Sequence, residues 1–443
     1  MNLVKVKDNN IEIEKEELSS INKLVGKIVN KSLLQLRQDG LFVFPETLKD
    51  AEDLDDDQFI LQSFNNHYRT SNIMGFIGYE DEQLIIESRF SNDGHDYFFE
   101  YLLSKVLDIP NIVDLETTFN KDRNIFDYLP FLFPFFLKQA IRKGLFKQYI
   151  RREYNDENVK GTIDFARHIK TNVPFTGKIA YNQREFSYDN DLIELIRHTI
   201  EYIKMLKYGN KILNKVNNEV KQIIDVTKTY SIGDRNKIIN KNIKHPIRHA
   251  YYKEYRTLQQ LCLLILTHKG YSIGQGQKKI YGIIFDGSWL WEEYLNTLIK
   301  DYFYHPKNKI NEGGQWLFNN NTGRIYPDFL GKDINNRIIA DAKYKPESNI
   351  GNKDYLQLLA YMFRFDAKNG YYLYPEINEV NAEVFNLNKG ITYEKNVSKR
   401  EDIVITKLGL RIPNNKESYD DFKKEIENYE KKFIEKVNSQ KQY

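Results

Sequence analysis

The sequence predicts a multi-domain protein of mixed α/β and α+β type, and three observations predict it. The chain has 443 residues with 41% hydrophobic content, more than one core normally organises. Its middle third carries apolar residues at spacings of three and four, the helical period. Its last third alternates short strand-like runs with helical ones.

Taken in order, residues 1–115 read as an α+β domain suited to partner binding. A helical stretch, EELSSINKLVGKIVNKSLLQLRQD, precedes the strand-like LFVF, NIMGFIGYE and EQLIIESRF. The acidic run DAEDLDDD at 50–57 lacks the glycine and closing glutamate of a calcium loop, so it reads as solvated surface.

Residues 116–270 read as a mainly helical middle domain, from LPFLFPFFLKQAIRKGLFKQYI, DLIELIRHTIEYIKMLKYG and YRTLQQLCLLILTHKG. It holds two basic clusters: Arg142, Lys143, Lys147, Arg151 and Arg152, then Lys237, Lys241, Lys244, Arg248, Lys253 and Arg256. Such clusters suit phosphates or an acidic partner as well as a wet face. In YDND, Asn190 or Asp191 is placed to cap the helix that follows.

Residues 271–443 read as a compact mixed sheet with flanking helices, built from KKIYGIIF, SWLWEEYLNTLIKDYF, QWLFNN, GRIYPDFLG, NRIIADAKYK, DYLQLLAYMFRF, GYYLYP and AEVFNLN. SYDDFKKEIENYEKKFIEKV is a charged helix with a thin apolar stripe, expected to pack loosely at the end.

Several function classes are excluded. The apolar runs are too short or too interrupted to span a bilayer, and no apolar run follows the first lysines, so a cytoplasmic location with no membrane partner is expected. A single cysteine, Cys262, excludes an internal disulfide and a multi-cysteine zinc site, and reads as core. Sixty-five basic against 62 acidic residues give +3, so any polyanion contact must be local.

The chemistry concentrates in YPDFLGKDINNRIIADAKYK, residues 326–345. As a hairpin about the polar turn KDIN, it sets Asp328 on one strand, with Asp341 and Lys343 two apart on the other, hence on one face. Paired carboxylates repel unless a proton or a cation lies between them. Hard oxygen ligands suit Mg2+ or Mn2+, and a neighbouring lysine can orient water or stabilise a phosphate. In the helix SWLWEEYLNTLIKDYF, Leu290, Trp291, Tyr294, Leu295, Leu298 and Ile299 form the apolar stripe. Glu292 lies on its edge and Glu293 further out, so Glu292 is the third candidate carboxylate. Gln357 and Tyr361, four apart, share a helical face and are placed to brace the site or touch a nucleic-acid backbone.

The order helix with acidic edge, Pro-Asp, hairpin, Asp-Ala-Lys, helix with Gln-x-x-x-Tyr resembles the PD-(D/E)XK nuclease superfamily over roughly residues 280–375. More widely, the chain resembles the McrC-like nuclease subunit of modification-dependent (5-methylcytosine) restriction systems. The carriers are NIMGFIGYEDEQLIIESRF, DYFFEYLLSKVLDI, FLKQAIRKGLFKQYIRRE, VKGTIDFARHIKTN, GKIAYNQREFSYDNDLIELI, IIFDGSWLWEEYL and GYYLYP. The resemblance implies a restriction-endonuclease-like core at 271–443 and a magnesium-dependent endodeoxyribonuclease. It implies Asp328 and Asp341 as metal ligands, Glu292 completing that shell, and Lys343, Gln357 and Tyr361 as further catalytic candidates. It implies double-stranded, modified DNA as substrate and hexamers of a McrB-like AAA+ GTPase as partner. Residues 1–70 and the last thirty carry none of the resemblance.

The chain contains no GxxxxGK[ST] loop, so no nucleotide is expected to bind here and GTP would be used by the partner. His245 and His249 in HPIRH lack a metalloprotease glutamate and read as a surface pair. GQGQKK at 274–279 is half a dinucleotide loop in the wrong place. Two alternatives remain: a non-cleaving subunit that activates the partner GTPase, and an autonomous DNA-repair nuclease.

Overall fold

The computed structural model describes residues 2–39, 41–44, 59–91, 95–106, 129–206, 208–267, 280–306, 314–378, 382–390 and 398–439. The acidic run at 50–57 and GQGQKK lie outside them. Two compact units result, one from Met1–Thr118 with Ile273–Tyr443, the other from Phe119–Ser272. The N-terminal and C-terminal regions, expected as separate domains, therefore fold together. The link is the strand Tyr281–Asp286, which sits inside the N-terminal sheet rather than the C-terminal one.

That first sheet runs, edge to edge, Asn2–Lys7, Glu82–Glu87, Ile73–Tyr79, Tyr281–Asp286, Phe42–Phe44. Tyr281–Asp286 pairs antiparallel with Ile73–Tyr79 and parallel with Phe42–Phe44. Ile77, Leu84, Ile86 and Ile284 from its strands bury against Leu18, Ile21, Leu24 and Ile28. The helix expected over 16–39 is broken into a 3-10 turn, Lys15–Ile21, and helices Asn22–Ile28 and Leu33–Gln38. Ser32 and Gln35 form a reciprocal capping box that starts the last piece afresh, after Asn30 turns the chain at φ +55°.

The second sheet has six strands in the order Phe303–Tyr304, Phe329–Gly331, Ile338–Ala342, Asn369–Glu376, Ser398–Arg411, Glu383–Lys389. It is mixed: Ile338–Ala342 pairs antiparallel with Phe329–Gly331 and parallel with Asn369–Glu376. Helix Asn352–Arg364 covers it through Leu358, Tyr361 and Met362, which pack with Ile339, Tyr372 and Tyr374. Helix Gly287–Ile299 buries Leu290, Trp291, Tyr294, Leu295 and Ile299, the stripe read from the sequence save Leu298, which is half-buried. Its Trp291 donates Nε1–H to the carbonyl of Leu373 at 3.0 Å.

The C-terminal helix, Tyr419–Ser439, is not loose. Tyr419, Phe422, Ile426, Phe433 and Val437 are buried, and so is Glu430. The Glu430 Oε1 accepts from Tyr101 at 2.7 Å and from Tyr294 at 2.8 Å. One acid facing inward on the thin stripe thus joins three helices.

The other unit is helical in part. Helices Leu129–Ile141, Asp191–Lys204, Arg235–Lys244 and Lys253–Thr267 pack together, with Cys262 fully buried between them. Asn190 caps the second of these, its Oδ1 accepting from the amides of Leu192 and Ile193. The same unit also holds a three-stranded sheet that the mainly helical expectation missed. Strands Gln148–Asp156 and Ile179–Ser187 form a long antiparallel ribbon, with Thr162–Ile163 beside it. Apart from the buried Ala180, Tyr181 and Asn182, its side chains are exposed or half-buried, with charged residues on both faces, so no apolar period marks it. No helix among the described residues is long and apolar enough to cross a membrane.

Candidate active site

The hairpin Phe329–Gly331/Ile338–Ala342 pairs Phe329 with Ala340, and one further step along that register brings Asp328 level with Asp341. Asp328 is held there by the amide of Ala342, which donates to its Oδ2 at 2.8 Å. The two carboxyl groups are close enough for the charge of Asp341 to raise the pKa of Asp328. Lys343, one residue beyond the strand, sets its Nζ 2.7 Å from Asp341 Oδ2. Asp341 is buried, while Asp328 and Lys343 are half-buried.

The electrostatics follow from this crowding. Burial first, then the charges of Glu292 and Asp341, push Asp328 well above the usual carboxylate range against the pull of Lys343. Burial also raises Asp341, with Lys343 opposing. Burial disfavours the Lys343 ammonium, yet Asp341 and Asp328 hold its pKa above the ordinary lysine value. Both carboxyls therefore hold a proton more readily than an ordinary aspartate, and a cation bound between them would relieve the same crowding.

Of the two helical glutamates, Glu292 is the buried one and Glu293 is half-buried, as the helical period indicated. The helix is started by Asp286, whose Oδ1 accepts from the amide of Trp289 at 3.0 Å. Gly287 beside it must be glycine, because a Cβ there would lie 2.6 Å from the Tyr344 ring. The chain three residues after Asp341 is thus in direct contact with the start of the Glu292 helix.

Gln357 and Tyr361 also join the site. Lys343 donates to Gln357 Oε1 at 3.2 Å, and Gln357 Nε2 donates to Tyr361 Oη at 2.9 Å. Burial, then Asp341 and Asp328, raise the Tyr361 phenol, so it stays neutral.

Two residues escaped the sequence reading. His305 faces Glu292 at 3.7 Å and Glu293 at 3.5 Å through Nε2, and its Nδ1 lies 2.9 Å from the backbone carbonyl of Asp328. Burial disfavours its charge, but Glu293, Glu292 and that carbonyl together raise its pKa. Asp354 receives Lys345 at 2.7 Å and Lys343 at 3.5 Å. Its signal was the third position of a helix preceded by glycine, where it also accepts the amide of Gly351 at 2.9 Å.

Among the described residues, no three His, Cys, Asp or Glu side chains form a ready metal-ligand cluster. Mg2+ is commonly held by one or two carboxylates, with water and phosphate filling its other positions. Two hard carboxylates set side by side fit such an ion. The fitting pair is Asp328 and Asp341, with Glu292 adding its charge nearby. His245 and His249 form the surface pair read from the sequence: both are exposed, and His249 Nδ1 accepts from the amide of Tyr251.

Fold and site define an α/β protein whose six-stranded mixed sheet gathers two facing aspartates and a lysine at one hairpin. The family model described as McrBC 5-methylcytosine restriction system component matches residues 68–375, and the chain belongs to that family. Among solved structures it is similar to the refined half-complex from the tetradecameric assembly of Thermococcus gammatolerans McrB AAA+ hexamers with bound McrC. The identity is 14%, covering 96% of this chain and 100% of that one, with a TM-score of 0.48. It is also similar to the cryo-EM structure of the Thermococcus gammatolerans McrBC complex, at 14% identity over 68% of this chain and 87% of that one, TM-score 0.33. No curated protein matches.

Proposed function

We propose that this chain is the endonuclease subunit of a GTP-dependent, modification-dependent DNA restriction complex. The observation that carries the reading is Asp328 and Asp341 set level with one another across the hairpin, with the Lys343 ammonium 2.7 Å from Asp341. Acid, acid and amine in that arrangement are the groups that PD-(D/E)XK phosphodiesterases use, and family membership supports DNA restriction as the setting.

Asp328 and Asp341 would hold Mg2+ or Mn2+, with Glu292 supporting that shell from the neighbouring helix. The ion, when bound, supplies Lewis-acid polarisation of a phosphate oxygen and a more acidic water. Lys343 stays charged beside the carboxylates, so it aims water and offsets negative charge building on the scissile phosphate. Gln357 fixes the Lys343 amine from its other side, and Tyr361 fixes Gln357. His305 bridges the Glu292 helix and the backbone at Asp328.

GTP turnover is assigned to a McrB-like AAA+ partner. Support comes from membership in a family of system components and from the missing nucleotide loop in this chain. The test is cleavage of methylated and unmethylated duplex DNA with and without that partner, GTP and magnesium. Cutting only with all components supports the assignment. Cutting by the purified chain alone with magnesium overturns the need for a partner, and unimpaired restriction by Asp341→Ala overturns the site.

A further inference from the structure

We propose that the base of the ribbon in the unit Phe119–Ser272 is a binding site for an unpaired nucleic-acid strand. The inference deepens the nuclease reading and rests on it for the identity of the polyanion as DNA.

The observations are local to that unit. A cavity of about 480 Å³ opens there, lined among others by Lys147, Tyr149, Phe186, Lys241, Arg248 and Tyr252. Its Lys and Arg side chains outnumber its single carboxylate, Asp191, which Lys241 already engages at 2.7 Å. Tyr149 and Phe186 are directly opposed in the ribbon register, with ring centroids 4.8 Å apart, yet 58% and 55% exposed. Rings of that size are usually covered.

Cations stand on these rings rather than on acids. The Arg184 guanidinium lies 4.6 Å over Tyr149, and Lys147 Nζ lies 4.2 Å over Tyr188 and 5.5 Å over Phe186. The result is an open platform of rings interleaved with positive charge. Bases stack on ring faces while lysines and arginines meet the phosphates, the usual recipe for single strands. A duplex cannot use such faces, since its bases are already stacked on one another. The cavity beside the platform is of the size that takes a small planar group, and Arg248 is placed at its wall to meet the attached phosphate.

The test is binding of the full-length chain to a labelled oligothymidylate of about 16 nucleotides, in EDTA so that cleavage plays no part. Tyr149→Ala with Phe186→Ala should weaken binding by roughly 10-fold or more. Tyr149→Trp should keep it. Lys147→Glu with Arg248→Glu should weaken it and flatten its salt dependence. The rings are exposed, so these variants should melt like the unaltered protein. No binding by the unaltered chain, equal binding of duplex, or indifference to the ring substitutions overturns the proposal. So does a loss confined to association with an AAA+ partner, which would assign the surface to protein. Asp341→Ala must leave oligonucleotide binding unchanged, so failure of the nuclease reading and failure of this one are seen separately.

Discussion

Lys343 holds its ammonium 2.7 Å from Asp341 Oδ2, and the two residues share one strand face with only Ala342 between them. The lysine is therefore fixed by the acid it serves, and by Gln357 behind it. Asp341→Ala should abolish metal-dependent cleavage while circular dichroism and partner GTPase stimulation stay near normal. Lys343→Met should lower the cleavage rate by about 100-fold or more with little change in DNA affinity, since charge stabilisation acts on the transition state. A rate within a few-fold of the unaltered protein would remove Lys343 from the chemistry.

Metal binding should release a proton. Burial, Glu292 and Asp341 raise Asp328, so the cation-free pair keeps a proton to higher pH than an ordinary aspartate. A cation must displace it, and Mn2+ affinity should rise with pH through that titration and fall as pH drops. Calorimetry in buffers of different ionisation enthalpy reads the released proton directly. Asp328→Asn should abolish both the release and the pH dependence.

Glu430 should prove a structural keystone. Its carboxylate takes hydrogen bonds from the buried phenols of Tyr101 and Tyr294. Glu430→Ala strands both hydroxyls and should cost on the order of 3 kcal/mol in urea unfolding. Glu430→Gln, which keeps an acceptor, should cost about half that. An unchanged midpoint for the alanine variant would contradict the packing of the last helix.

One ion pair, between a buried lysine and a half-buried glutamate, should show in acid. Lys407, 2.8 Å from Glu347, holds that carboxyl below the ordinary glutamate value. A depressed folded pKa gives stability that is present above the unfolded value and is lost as pH falls through the folded one. Glu347→Gln should therefore destabilise by about 1 kcal/mol near neutrality and by nothing once the native Glu347 is protonated. Thermal melts across that range check it.

What could be read from the sequence was what short-range periodicity controls. Strand alternation put Asp341 and Lys343 together, and the hundred-degree helical step chose Glu292 over Glu293. His305 could not be found that way, since its partners Glu292 and Asp328 lie on two other elements. The ribbon Gln148–Asp156/Ile179–Ser187 was missed because charges occupy both its faces, leaving no apolar contrast. The partner of Tyr281–Asp286 was missed because pairing across so long a loop leaves no local trace. Its glycine, Gly282, at φ +150°, sits where a Cβ would strike the Phe76 carbonyl, a clue legible only once the two strands are side by side.

The return of Tyr281–Asp286 to the strand Ile73–Tyr79 also dictates a timetable for the newborn chain. At about 5–20 residues per second, the ribosome needs on the order of 10–40 s after making Tyr79 before the completing strand emerges. During that interval a hydrophobic edge stands open, and it must be shielded by a chaperone or by transient self-contacts. Slowing translation across 119–272 should then raise aggregation more than the same delay placed after Asp286.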